Sequence, residues 1–275
     1  MPSALSSTVR DRIATARGKT PAWRPYLDLV EAVLEEDASG RWDAITVEAS
    51  PPRPGEAPLL EGATVSVPEK AAARFVATIL GARTAKALDP LFVLAAAARQ
   101  DSEALEKAAD GAGVGAEGLE ALAGLAASPM LRACSRRLAT KVPSTWREGW
   151  CPVCGAWPAL GELRGLERER HLRCGRCAAG WRFPWLRCAH CGEADEKSLS
   201  HLVLEDDPGG RRVETCGTCH GYVKSVATLS ALSPADLALV DLETVDLDLA
   251  AQERGRRLPK SPAVALHVRV VGTRG

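Results

Sequence analysis

Eight of the nine cysteines in this 275-residue chain stand as four Cys-x2-Cys pairs between residues 151 and 219, and no other feature constrains the fold as strongly. The pairs are Cys151 with Cys154, Cys174 with Cys177, Cys188 with Cys191, and Cys216 with Cys219. A two-residue turn between cysteines points both sulfurs and several backbone N–H groups to one side, so each knuckle supplies half of a tetrahedral site. Pairing neighbours along the chain gives C-x2-C-x19-C-x2-C followed by C-x2-C-x24-C-x2-C, and the first has zinc-ribbon spacing. Two four-cysteine metal sites are therefore predicted, with crossed pairings left open by spacing alone. Gly155 and Gly192, each just after a knuckle, suit a turn of positive φ that lets amides face sulfur.

Tetrahedral sulfur suits zinc and iron alike, so the donor set leaves two iron or zinc ions as the alternatives. Zinc would be purely structural, and iron would permit one-electron chemistry. Four cysteines per ion leave no position for water, which argues against an open catalytic zinc. Each quartet of thiolates around a divalent ion carries a net charge of about −2. Arg164, Arg168, Arg170, Arg173, Arg176, Arg182 and Arg187, set among the knuckles, are expected to compensate that charge; a phosphate-binding patch is the rival reading.

Other strings carry less. "CGTCH" at 216–220 matches a c-type haem attachment site, but no export signal accompanies it. His171 and His190 are expected to face solvent because the cysteine sets are already complete, and Cys134 reads as a small core residue. No βαβ pattern supports a thioredoxin-like use of one knuckle, and no Ser-His-Asp arrangement, paired carboxylates or phosphate loop stands out.

Lys plus Arg equals Asp plus Glu at 35 each, which gives no bulk signal for nucleic acid or an anionic membrane. The first twenty residues have no apolar secretory run, and no stretch reaches eighteen consecutive apolar residues, so a cytoplasmic protein without a membrane span is expected. In that reducing compartment, clustered cysteines bind metal in preference to forming disulfides.

Hydrophobic residues are 46% of the chain while aromatics are only 4%, a balance that favours helices. "RPYLDLVEAVLEED" puts Tyr26, Val30, Val33 and Leu34 on one face, and "PEKAAARFVATILGAR" does so with Ala72, Phe75, Ile79 and Leu80, opened by Pro68. The Pro-rich segment between them reads as a loop. Further helices are expected in "DPLFVLAAAARQDSEALEKAAD", in "AEGLEALAGLAA", and in "SPMLRACSRRLATKV" opened by Ser128 and Pro129, with "DGAGVGAEG" as a turn. A last helix starts at the Ser233-Pro234-Asp236 signal, with Leu237, Val240, Leu247 and Leu249 as its apolar stripe and Asp236, Asp241, Glu243, Asp246 and Asp248 as its solvated face. It would close the cysteine module or dock it on the first domain.

The order "WCPVCG", "HLRCGRC-x3-W", "LRCAHCG", "ETCGTCHGYVK" and the acidic "DLETVDLDLAAQERG" resembles the formate dehydrogenase accessory protein FdhE family over roughly residues 146–256. The resemblance implies an α plus small β fold: a helical domain over 1–145, then a double rubredoxin-like, zinc-ribbon domain with a C-terminal helix over 146–275. It implies a cytoplasmic maturation factor, not an enzyme, that binds the catalytic subunit of formate dehydrogenase. Cys151, Cys154, Cys174, Cys177, Cys188, Cys191, Cys216 and Cys219 would hold iron. A zinc-ribbon nucleic-acid-binding protein and an iron electron carrier are the alternatives, and self-association stays open.

Overall fold

The computed structural model describes residues 5–48, 57–203, 210–259 and 262–273. The chain divides into two compact units, Met1–Lys141 with Ala265–Gly275, and Val142–Val264.

The first unit is mainly helical. Its helices are α1 (Ser7–Lys19), α2 (Arg24–Ala38), α3 (Glu69–Leu80), α4 (Ala82–Ala87), α5 (Pro90–Arg99), α6 (Ser102–Ala112) and α7 (Ala116–Leu138). The stripes on α2 and α3 are buried as expected, through Leu27, Val30, Val33 and Leu34, and through Ala72, Phe75, Ile79 and Leu80. Tyr26 departs from its stripe and is 48% exposed. Pro68 precedes α3 as its N-cap, with ψ 103°, and is not its first helical residue.

The two helices expected on either side of Ser128 are one 23-residue helix, α7, with Pro129 inside it. Proline removes one backbone donor and crowds the preceding turn. Burial outweighs that cost here: Ala126 to Cys134 are buried without interruption, and α7 packs on α2, α3, α5 and α6. The Ser128 hydroxyl donates to the Gly124 carbonyl at 2.9 Å, within the turn that Pro129 crowds. Cys134 is fully buried in this helix.

The Pro-rich segment between α2 and α3 is not all loop. Residues 49–56 lie outside the described structure, but β1 (Thr46–Glu48) and β2 (Thr64–Pro68) flank them and pair antiparallel. Val65 and Val67 point into the core while their neighbours are half-buried, the period-two pattern of a strand. The last strand, Arg269–Thr273, runs parallel to β2, with Val65 opposite Val270. The expected second domain of 146–275 is therefore corrected at its end: Leu266 and Val268 are buried in the helical unit, and the tail completes its sheet.

The second unit is built on a six-stranded sheet of order β5-β4-β3-β8-β7-β6. Its strands are β3 (Leu160–Arg164), β4 (Glu169–Arg173), β5 (Gly180–Arg182), β6 (Leu199–Leu202), β7 (Arg212–Cys216) and β8 (Tyr222–Thr228). Two antiparallel ribbons, β5-β4-β3 and β8-β7-β6, join through the parallel pair β3 and β8.

Helices α8 (Pro234–Glu243) and α9 (Val245–Glu253) cover this sheet, so the single predicted helix is two, broken at Thr244. Ser233 caps α8 by accepting from the Asp236 amide at 3.1 Å. Leu237 packs with Leu160 and Val226, and Leu247 with Val213 and Tyr222, which closes the cysteine-bearing module. Leu249 is 56% exposed and leaves the apolar stripe. Asp241 and Asp248 leave the solvated face: each places an oxygen 2.7 Å from the ammonium of the buried Lys224.

Candidate metal centres

One local design is repeated four times. The amide of the first cysteine of each knuckle donates to the carbonyl five residues on: Cys151 to Ala156, Cys174 to Ala179, Cys188 to Glu193 and Cys216 to Gly221, at 2.8 to 3.0 Å. The residue after the second cysteine is left-handed every time, at Gly155 (φ 68°), Ala178 (φ 59°), Gly192 (φ 77°) and His220 (φ 58°). Only two of these were legible as glycines; Ala178 and His220 hold a conformation that disfavours a side chain. The reversal aims amides at sulfur. Val153 and Cys154 donate to Cys151, Cys177 to Cys174, His190 to Cys188, and Gly221 to Cys219, at 3.3 to 3.5 Å.

The fold brings together Cys151, Cys154, Cys174 and Cys177 at the β3–β4 end, and Cys188, Cys191, Cys216 and Cys219 at the β7–β8 end. In each quartet the four sulfurs lie within 4.8 Å of one another. Sulfur pairs stand at 3.4 and 3.5 Å in the first and at 3.7 Å twice in the second. A tetrahedral ion with bonds of about 2.3 Å requires sulfur edges of about 3.8 Å, so both quartets have the dimensions of such a site. Knuckles pair in chain order, and the crossed alternatives are absent.

Charge points the same way. Burial pushes the Cys151, Cys177 and Cys188 thiols well above the ordinary thiol range, while Cys174, ringed by the other three sulfurs of its quartet, is held below it. Four adjacent thiols resist ionising together in such surroundings, and a divalent cation held among them would supply the missing charge. The donor set and its geometry fit a soft or borderline metal ion with no open position.

Neither histidine joins a quartet. His171 lies between Arg164 (3.2 Å) and Glu169 (3.5 Å). His190 is not solvent-facing: its Nε2 donates to the Tyr222 carbonyl at 3.0 Å, its ring packs edge-on to Trp157, and burial lowers its pKa. The "CGTCH" cysteines are both in the second quartet, so that string supplies half of a four-cysteine cluster.

Four of the seven arginines are paired with carboxylates, and Arg173 among them also feels the charge of Cys174. Arg164 and Arg173 both pair with Glu162, which is fully buried, Arg170 pairs with Glu214, and Arg182 with Glu169. Glu162 also accepts from the Leu232 amide at 3.0 Å, which joins β3 to the segment leading into α8. Sequence reading missed this carboxylate, whose one signal is a glutamate inside the apolar "LGEL". It also missed the strap after α9, where the Arg256 guanidinium donates to the Cys216 carbonyl (2.8 Å) and the Val264 amide to that of Gly155 (3.2 Å).

Residues 186–263, which contain the whole second quartet, match the family model described as FdhE, C-terminal domain. The chain resembles the FdhE family. Curated proteins named "Protein FdhE homolog" match from Stutzerimonas stutzeri (strain A1501), 38% identical over 108 residues, and from Pseudomonas aeruginosa, 37% identical over 124. These matches cover 38% and 42% of this chain, and 34% and 39% of the relatives. The chain thus spans little more than a third of the length of the curated FdhE homologs it matches. "The crystal structure of the FdhE protein from Pseudomonas aeruginosa" superposes with a TM-score of 0.58 at 23% identity over 94% of each chain, a likeness of fold. Among the described residues no helix is long and apolar enough to cross a membrane.

Proposed function

We propose that this chain is an accessory factor for the maturation of a formate dehydrogenase, that it binds the catalytic subunit in the cytoplasm, and that it is not itself an enzyme. One observation carries the reading: the FdhE-like region, residues 186–263, lies within a unit whose two cysteine quartets are built from one knuckle repeated four times. Four sulfurs would fill every coordination position of a resting ion, with none vacant for a substrate, so the contribution of these sites is to hold a surface that acts on another protein. The eight cysteines are the proposed ligands of two ions, iron by resemblance. Either ion would supply folding free energy to the unit, and iron would add one-electron exchange. A cytoplasmic setting is supported by the reduced thiols that such ligation requires.

The nucleic-acid reading loses support from the arginines, since Arg164, Arg170, Arg173 and Arg182 are already engaged with carboxylates. Phosphate binding would need those cations free.

The test is genetic and biochemical. Deleting the gene, in an organism with no second copy, is expected to abolish formate-dependent dye reduction while the formate dehydrogenase polypeptides are still made. A Cys151→Ser, Cys154→Ser variant should fail to restore it, and affinity-tagged wild-type protein should recover the catalytic subunit. Normal formate dehydrogenase activity in the deletion strain refutes the assignment.

A further inference from the structure

We infer that the two centres are unequal in exchange: the Cys188, Cys191, Cys216, Cys219 centre passes its ion to and from an incoming thiol, while the Cys151, Cys154, Cys174, Cys177 centre is a closed structural clamp. The inference rests on the reading that the eight cysteines hold two ions, and it adds a division of labour between them.

Ligand exchange at a four-sulfur site needs a new donor to approach the ion, or water to reach a departing thiolate. The first centre denies both. Cys151, Cys154 and Cys174 have no exposed surface and Cys177 only 1%. The second centre admits both, since Cys191 is exposed and Cys219 half-buried.

Two clefts are lined by cysteines of the second centre. Cys219 lines one of about 410 Å³, together with Trp157, His190 and Arg257. Cys188 and Cys216 line another, of about 260 Å³, together with Trp185 and Leu186. Those two apolar side chains are 44% and 59% exposed.

Cys191 is the sulfur placed to give way. As the incoming thiolate forms its bond to the ion, the bond to Cys191 breaks, and the released thiolate takes a proton from water; no electrons change hands. The reverse step reloads the centre. The incoming ligand is a soft sulfur donor, because it must match the thiolate it displaces. What holds the centre against unprompted loss includes a contact outside the ligand set: the Thr218 hydroxyl of the fourth knuckle donates to Glu193 beside the third, at 2.7 Å.

The experiment uses the full chain loaded with two zinc ions per chain, challenged with excess chromogenic chelator in the presence of N-ethylmaleimide, with alkylated cysteines mapped by peptide mass spectrometry over time. One ion is expected to leave at least tenfold faster than the other, with Cys191 and Cys219 modified in that phase and the first quartet modified only in the slow one. Thr218→Val, which removes no ligand, should speed the fast phase alone. Loss of both ions in one phase, early modification of the first quartet, or equal acceleration of both phases by Thr218→Val overturns the inference while leaving the two-ion reading intact. A chain that takes up fewer than two ions before the challenge overturns both.

Discussion

Gly149 and Ala189 meet backbone to backbone, so closely that a methyl group on Gly149 would stand 1.7 Å from the Ala189 carbonyl oxygen. Ala189 lies inside the third knuckle, and Gly149 leads into the first. This contact seats the two ribbons against each other where their cysteine-bearing ends begin.

Gly149→Ala must therefore push the backbones apart, with no flexible side chain to absorb the strain. Overpacking of this kind costs about 1–3 kcal/mol, and backbone against backbone belongs at the upper end. Chemical denaturation of the metal-loaded protein measures it, and a change within about 0.5 kcal/mol, the range of an ordinary surface substitution, would show that the contact relaxes freely.

The left-handed residues after the second and fourth knuckles predict the opposite sign. His220 holds φ 58° and is exposed, so His220→Gly removes the steric penalty of that conformation without losing buried contacts. A stabilisation of about 1 kcal/mol is expected. Ala178→Gly should gain less, because the Ala178 methyl packs against the cluster of Leu160, Val226 and Leu237. Gly155→Ala should lose about 1 kcal/mol by the same argument reversed.

Glu162 is the buried counter-ion of Arg173, which also donates to the carbonyls of Leu232 and Ala178. Glu162→Gln leaves a buried guanidinium without its charge partner and is expected to cost about 3–5 kcal/mol. The double variant Glu162→Gln, Arg173→Met should recover part of that loss, a coupling that a double-mutant cycle reads directly. Additive losses would mean that the pair does not interact in solution.

Tyr222 carries the pH prediction. Burial, with the Asp248 carboxylate 3.0 Å from its hydroxyl, raises its pKa from 10.0 to about 12. The folded state thus prefers the protonated phenol more than the unfolded chain does. That contribution is fully present below pH 10 and is lost as the pH rises towards about 12. Tyr222→Phe should flatten the decline of stability across that window and remove the phenolate absorbance step near its upper end. An unchanged alkaline profile would place the stability loss on other groups.

The four knuckles were legible because their information is local: two sulfurs and a reversing residue within five positions. The same holds for the buried faces of α2 and α3, where a 3.6-residue period needs only one helix to be read. What was missed depends on distant partners. β2 and the strand that pairs with it lie some two hundred residues apart, and neither is long enough to announce itself alone. Pro129 looked like a helix start because its penalty is local, whereas the burial that overrides it comes from four other helices. The arginines were assigned to the sulfurs because their spacing suggested it, but Glu162 and Glu214 become their partners only when the strands are aligned. Tyr26 and Leu249 fit a stripe by period and fall outside the area that the neighbouring elements cover.

The parallel pairing of β2 with the strand Arg269–Thr273 imposes an order in time. A growing chain emerges from its N-terminus, so the helices appear first and the sheet of their unit stays one strand short until all eight knuckle cysteines have left the ribosome. During that interval β2 offers an unpaired edge, and the cysteine-bearing unit is complete in sequence before the strand Arg269–Thr273 closes the helical one. The sheet of the helical unit is thereby completed only after all eight knuckle cysteines have been made, which puts the cysteine-bearing unit ahead of it in the order of synthesis.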